Sequence, residues 1–404
     1  MRHSTNQSDL ADGLNPETGE GVANGFAAPN GVAAGADKVW QPIRPRRVLF
    51  FGKTKARTRC TGALVDALEQ NNMEVKWLNC SFLKRYFTKA GMRFLARYIR
   101  KRYDPDLLFI FYHDLPRPLM EEFSKEIPTV VWMEELVEIQ ESHIEYARNA
   151  RLICMSTPRL VREYRDRGIA NSTFLLSGYS PAYHRPIDLP DPIEYDREIA
   201  FIGGPGVMGD RPEFLAWLSE YYDVEIFGTV TSWLPVLHQF PQLKFGREVG
   251  PSDYGEICAR SKIVLGLNQD HDNAYYFSNR LFLTLACRGF HLIRYVAGTE
   301  DLFEDGKHLA WFRDKDECLE KISYYLQNDE ERRKVASAGC EAVTQRHRYQ
   351  DRVADILAIL AGTAELVCPD DPSESGSILT PFEPGQVSGN GVGSDESLRK
   401  VFGS

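Results

Sequence analysis

The segment from Ser261 to Phe303 constrains the fold more than any other part of the chain. Ser261-Lys262-Ile263-Val264-Leu265-Gly266-Leu267-Asn268 is an apolar run of strand length. A polar loop follows, and Ser278-Asn279-Arg280-Leu281-Phe282 opens a helix that the pattern ends at Arg288-Gly289, before another apolar run. Buried strand, polar loop, short helix and buried strand make half of a nucleotide-binding α/β lobe. Unpaired N–H groups and the dipole at a helix start favour an anion, and a guanidinium adds charge at the same place. Arg280 is therefore a candidate contact for a diphosphate. The simpler alternative is an ion pair with a neighbouring loop.

The alternation of strand and helix extends over most of the 404 residues. Arg47 to Phe51, Glu74 to Leu78, Leu107 to Tyr112, Pro128 to Met133, Arg151 to Met155 and Ser172 to Leu176 read as strands of a first lobe, with helices between them. Gly178 to Pro192 carries Pro181, Pro186, Pro190 and Pro192 and reads as a stiff linker. A second lobe opens with Glu198 to Ile202, the turn Gly203-Gly204-Pro205-Gly206 and a helix from about Arg211 to Tyr222. Such wiring predicts parallel sheets with ligands beyond the carboxyl ends of the strands. The resulting division is a disordered tail over 1–44, a first Rossmann-like lobe over 45–180, a linker over 181–197 and a second lobe over 198–345. A terminal helix over 346–366 and a disordered tail over 367–404 complete it; both tails are poor in large apolar groups.

A net charge of -9 argues against a dedicated nucleic-acid binder, and no RNA or DNA motif occurs. The eight cysteines include no C-x-x-C pair, so they read as buried thiols suited to a reducing cytoplasm. Met1 to Asp9 lacks the apolar core of a secretory signal, and the apolar runs fall far below the roughly 20 residues a membrane span needs. A soluble cytoplasmic protein is the expectation. Phe51-Gly52-Lys53-Thr54 lacks the upstream glycine of a phosphate loop, so a Walker motif is rejected. The basic loop Gly52 to Arg59 reads as solvated, with an anionic ligand as the alternative.

From about Ile199 to Leu357 the chain resembles the CgeB-like spore-maturation glycosyltransferases, a branch of the two-lobed GT-B enzymes that transfer sugars from nucleotide diphosphate donors. The resemblance rests on Phe201-Ile202-Gly203-Gly204, Ser261-Lys262-Ile263, Asn268, Asn279-Arg280-Leu281-Phe282, Leu285-Ala286-Cys287 and Gly289-Phe290. Farther on it includes Gly298, Glu300-Asp301-Leu302-Phe303, Gly306-Lys307, Tyr324-Tyr325-Leu326, Glu330-Glu331-Arg332, His347, Tyr349 and Arg352. It implies an α/β GT-B-like fold, two Rossmann-type lobes facing a cleft, with the last helix crossing back to brace the first lobe. It further implies a nucleotide-sugar as substrate, no separate cofactor, and Gly203, Gly204, Arg211, Asn268, Asn279, Arg280, Glu300 and Asp301 as donor-site residues.

Two positions depart from the family pattern Asn-Arg-Val-Phe-Glu-Ala-Leu-Ala-Cys-Gly-Gly: its Glu is Leu283 here, and the first Gly of its pair is Arg288. The second Glu that related retaining enzymes set eight residues upstream is Tyr275. Leucine accepts no hydrogen bond, and unpaired ribose hydroxyls would cost on the order of 1 to 3 kcal/mol of donor affinity. Asp270, Asp272 and Asn273 are candidate substitutes. A noncatalytic nucleotide-sugar binding or assembly protein is therefore the competing reading.

An inverting transfer needs a general base from the first lobe. His113-Asp114 and Glu134-Glu135 follow predicted strands at their carboxyl ends and are the base candidates, with helix capping as the alternative role. No metal is implied, although Asp270-His271-Asp272 has the residue types to ligate one. The stretch 84–102 combines eight cations and no acid with Phe87, Phe94, Leu95 and Tyr98 at helical spacing. It reads as a solvated face, or as a peripheral contact with an anionic membrane that holds the acceptor. That acceptor, a glycan or a lipid-linked sugar, is not encoded legibly.

Overall fold

A computed structural model describes residues 41–52, 60–79, 88–112, 115–134, 141–190, 193–207 and 209–370. Two six-stranded sheets carry the architecture, and every strand pair in them is parallel. The first comprises β1 (Arg47–Gly52), β2 (Glu74–Asn79), β3 (Leu107–Phe111), β4 (Thr129–Met133), β5 (Leu152–Met155) and β6 (Ser172–Phe174), in the order β2-β1-β3-β4-β5-β6. The second comprises β7 (Arg197–Ile202), β8 (Val224–Phe227), β9 (Lys244–Phe245), β10 (Ser261–Gly266), β11 (His291–Arg294) and β12 (Ala310–Phe312), in the order β12-β11-β10-β7-β8-β9. Each sheet reverses its winding beside its first strand, between β1 and β3 and between β7 and β10, where open α/β sheets bind ligands.

Sequence chemistry explains the layering. The central strand β3, Leu-Leu-Phe-Ile-Phe, is buried throughout, as a parallel strand with both faces covered must be. The edge strand β2, Glu-Val-Lys-Trp-Leu-Asn, is only half-buried and admits charge. In the second sheet Ile263 pairs with Ile199 and Leu265 with Phe201, bringing the carboxyl ends of β10 and β7 side by side. The helices that matter below are α1 (Cys60–Gln70), α2 (Lys89–Tyr103), α3 (Arg117–Phe123), α4 (Glu141–Ala147), α5 (Pro158–Asp166), α6 (Arg211–Leu218), α7 (Val230–Gln239), α8 (Tyr254–Ala259), α9 (Arg280–Ala286), α10 (Lys315–Gln327), α11 (Asp329–Arg346) and α12 (Tyr349–Leu360).

The chain returns to the first sheet at its end. Tyr349, Val353, Ile356 and Leu360 of α12 pack with Val48, Phe50, Phe109 and Trp132, and the rings of Tyr349 and Trp132 lie 5.9 Å apart. The crossing is pinned by Tyr179 N–H donating to His347 O (3.1 Å) and Tyr349 N–H donating to Tyr179 O (3.0 Å). Gly178 permits that approach, since a Cβ there would press on His347 O and Tyr349 N at 3.0 Å.

Order extends past the expected tail boundaries. Phe174 N–H donates to Val367 O (2.7 Å) and Val367 N–H to Thr173 Oγ1 (2.9 Å), so the chain from 367 still seals the edge of the first sheet at β6. Ile43 N–H donates to Leu360 O (2.8 Å), fastening a residue assigned to the opening tail. The helix opened by Arg280 ends at Ala286, short of Arg288-Gly289, because Gly289 N–H turns back to Thr284 O (3.0 Å) and closes the last turn. The basic helix spans Lys89–Tyr103; residues 84–87 lie outside the described set.

Candidate active site between two lobes

A cleft of about 780 Å³ opens where the two sheets face each other, lined by Tyr112, Glu134 and Ser177 from the first lobe and by Gly204, Arg211, Gln269, Tyr276, Ser278, Asn279 and Arg280 from the second. Two arginines form its chemical centre. Arg280 donates through Nη2 to Leu267 O (2.8 Å) and through Nη1 to Ile202 O (3.4 Å). Arg211 donates through Nη2 to the same Leu267 O (2.8 Å) and through Nη1 to Gly204 O (2.7 Å). Those carbonyls lie at or just past the carboxyl ends of β7 and β10, so both guanidiniums are moored at the switch point of the second sheet. Both also lie over the ring of Phe201, at 5.3 Å for Arg280 and 5.5 Å for Arg211.

Their electrostatics are unusual for structural arginines. Arg211 is 4% exposed, and burial together with the Arg280 charge pulls it down to about 9. Burial lowers Arg280 as well. No carboxylate among the described residues pairs with either, and the Nε of each is buried without a hydrogen-bond partner. Two partly dehydrated cations that share one neutral carbonyl gain from an anion, since carbonyl dipoles compensate a charge withdrawn from water less well than a counter-charge. Gly203 makes room for the pair, because a Cβ there would collide with Arg280 Nη1. Its carbonyl also accepts from Trp233 Nε1 (2.8 Å), fixing the turn.

The other expected donor-site residues divide by position. Asn279 lines the cleft, directly before α9. Asn268 serves the loop: its Oδ1 accepts from Ser278 N–H (2.9 Å), and its own N–H donates to His271 Nε2 (3.0 Å). Glu300 and Asp301 do not line this cleft. Glu300 Oε1 accepts from Tyr295 OH (2.9 Å) while its Oε2 is buried and unpartnered, and Asp301 accepts from Tyr275 OH (2.5 Å). Tyr275 fills the place of the upstream Glu, packing its ring 5.6 Å from Phe174 of the first lobe. Leu283 is buried in the core beneath the site and offers the cleft no acceptor. Asp270 is occupied by its own turn, accepting from Asp272 N–H, Asn273 N–H and Asn273 Nδ2.

Across the cleft Glu134 is oriented by a relay. Ser177 Oγ donates to Glu134 Oε1 (3.0 Å), Tyr349 OH lies 3.3 Å from Ser177 Oγ, and Arg352 Nε donates to Ser177 O (3.1 Å). Behind it, buried Arg352 donates to His347 Nδ1 (2.7 Å), and the His347 ring stacks 5.0 Å from Phe282 of α9. His113, Asp114 and Glu135 lie outside the described residues. Sequence reading missed Ser177, whose only signal was its position just beyond the last strand of the lobe; Tyr349 belongs to the family resemblance, but its contact with Ser177 was not foreseen. Among the described residues no cluster of three or more His, Cys, Asp or Glu is placed to hold a metal ion. Nor is any helix there long and apolar enough to cross a membrane.

Two parallel α/β sheets meeting at one cleft, with paired arginines at a switch point, define a GT-B-like protein. Residues 211–358 match the family model described as glycosyl transferase-like. Among solved structures the chain is similar to a glycosyltransferase from Rickettsia africae, at 13% identity and a TM-score of 0.59, over 80% of this chain and 99% of that one. It is also similar to the sucrose-phosphate synthase of Thermosynechococcus elongatus (9% identity, TM-score 0.59, 79% of this chain and 100% of that one). A third is Anabaena HepE in complex with UDP and glucose (12% identity, TM-score 0.55, 78% of this chain and 100% of that one). No curated protein matches the chain. At these identities the structural likeness establishes the fold.

Proposed function

We propose that the protein is a glycosyltransferase of the CgeB-like branch, taking a sugar from a nucleotide diphosphate donor held by the second lobe and passing it to an acceptor hydroxyl on the first. The observation that carries this reading is the pair Arg211, buried, and Arg280, half-buried, two guanidiniums with no carboxylate partner among the described residues. A leaving diphosphate supplies the missing negative charge, and as the bond from its oxygen to the anomeric carbon breaks, the developing charge falls on these donors. The helix α9, only seven residues long, adds little to them. Glu134, aimed by Ser177, is the described carboxylate that takes the acceptor proton as the new carbon–oxygen bond forms; His113, Asp114 and Glu135 are the remaining candidates. HepE has been solved with UDP and with UDP-glucose, which makes UDP the first nucleotide to test. The nucleotide-sugar is substrate, and no cofactor enters the scheme. Six free thiols among the described residues, four buried and two half-buried, support the cytoplasm as its compartment.

A second reading, a nucleotide-sugar binder without turnover, is favoured by Leu283 and Tyr275 in place of carboxylates. Calorimetry with UDP and other nucleoside diphosphates, followed by turnover on a panel of nucleotide sugars, separates the two. The transferase reading expects micromolar-class binding and turnover, with Arg280→Ala weakening UDP at least about tenfold, the worth of a charge-assisted bond. Binding with no turnover establishes the binder, and absence of both overturns the cleft as a nucleotide site.

A further inference from the structure

The helix α2 (Lys89–Tyr103) satisfies the fold with one face only. Met92 and Ala96 are buried against the lobe, with Leu95, Ile99 and Tyr103 packed beside them. A surface helix needs a single apolar stripe to dock on its core. Yet Phe94 and Tyr98, four residues apart and so aligned on the outer face, are 74% and 59% exposed. Cations surround them: Lys89, Arg93, Lys101 and Arg102 have no ion pair among the described residues, and the helix contains no acid. Only its flank toward α3 is neutralised, by Arg97 with Glu122 (2.7 Å) and by Arg100 with Glu126. This concentration is local, since the whole chain carries a net charge of -9.

We propose that α2 seats the protein on an anionic lipid surface, with Phe94 and Tyr98 entering the interface and Arg93, Lys101 and Arg102 meeting the lipid phosphates. Charge complementarity selects the sign of the partner, and the aromatic pair selects lipid. Phosphates alone would satisfy the cations, whereas a ring that is three-quarters exposed in water gains by moving into the headgroup and acyl boundary. Fifteen residues with six cations are too short and too charged to cross a bilayer, so the helix lies along its surface. This inference does not rest on the nucleotide reading.

Flotation of the full chain with vesicles tests it, using phosphatidylcholine alone and an equal mixture with phosphatidylglycerol. The chain should float with the mixed vesicles, release at high salt, and ignore the neutral ones. Replacing Arg93, Lys101 and Arg102 by Gln should weaken binding on the order of a hundredfold, at about fivefold per cation. Phe94→Ser with Tyr98→Ser should weaken it at least about tenfold, through lost apolar burial, while the melting temperature stays unchanged. Absence of vesicle binding overturns the proposal, as does binding indifferent to phosphatidylglycerol or an aromatic variant that floats like the parent chain.

Discussion

Leu267 O accepts hydrogen bonds from two guanidinium groups at once, an arrangement that brings like charges together at the wall of the cleft. Folding tolerates this only with compensation, here the ring of Phe201 and the carbonyls of Ile202 and Gly204, so the pair stores an affinity for anions. A second residue under tension is Arg288, whose φ of 56° places it in the left-handed region. Cys287 caps α9, and Arg288 occupies the next position, where the bond from Gly289 N–H to Thr284 O demands that conformation and usually a glycine. The exposed pair of Arg288 with Asp188 compensates weakly. Arg288→Gly should therefore raise stability by about 1 kcal/mol, seen as a higher melting temperature; an unchanged or lower value would show that the side chain carries more than its ion pair.

Among elements, those with an unbroken apolar run were legible. Leu107–Phe111 and Ser261–Gly266 stand where their patterns placed them, because a strand buried on both faces admits nothing else. The helix Val230–Gln239 was not read; Pro235 stands inside it, where it forgoes the backbone hydrogen bond that any other residue would donate. The two-residue strand Lys244–Phe245 is too short to leave a periodic signal. Arg280 was found at its cleft position because it follows a strand and a polar loop, whereas its sharing of one carbonyl with Arg211 depends on a turn that no spacing reveals. The contact of Ser177 with Tyr349 escaped for a similar reason: they stand 172 residues apart and meet through the return of α12. On the proposed transferase reading, that return makes Tyr349 a positioning residue. Tyr349→Phe, and more strongly Ser177→Ala, should lower kcat several-fold and shift the acidic limb of its pH profile while leaving KM for the donor unchanged. An equal fall at every pH would mark the relay as merely structural.

Across the whole molecule, neutral histidines set the response to acid. Burial draws His184, His271 and His291 down to about 4, and His347 well below its ordinary range, helped by the adjacent Arg352 and Arg346 charges. The unfolded chain takes up these protons near the ordinary histidine value of about 6.5, so below it the unfolded state binds more protons than the fold. Their contribution to stability is complete above that pH and declines as the pH falls toward 4. For His291, 2% exposed, the loss at about pH 5 is on the order of 2 kcal/mol. The melting temperature should drop between about pH 7 and about pH 5, and His291→Asn, which cannot take the proton, should show a shallower drop; a flat profile in the parent chain would refute this.

The return of α12 also dictates an order of assembly. Val353, Ile356 and Leu360 cover part of the sheet that contains Val48, Phe50 and Phe109, which leave the ribosome well before them. That patch of the first lobe lacks its cover through synthesis of the second lobe, and the nascent chain carries sticky surface on view over that interval. Exposure of this patch to misassembly thus falls before α12 is made, and a chaperone that shields the aromatics of the first sheet would act during that interval.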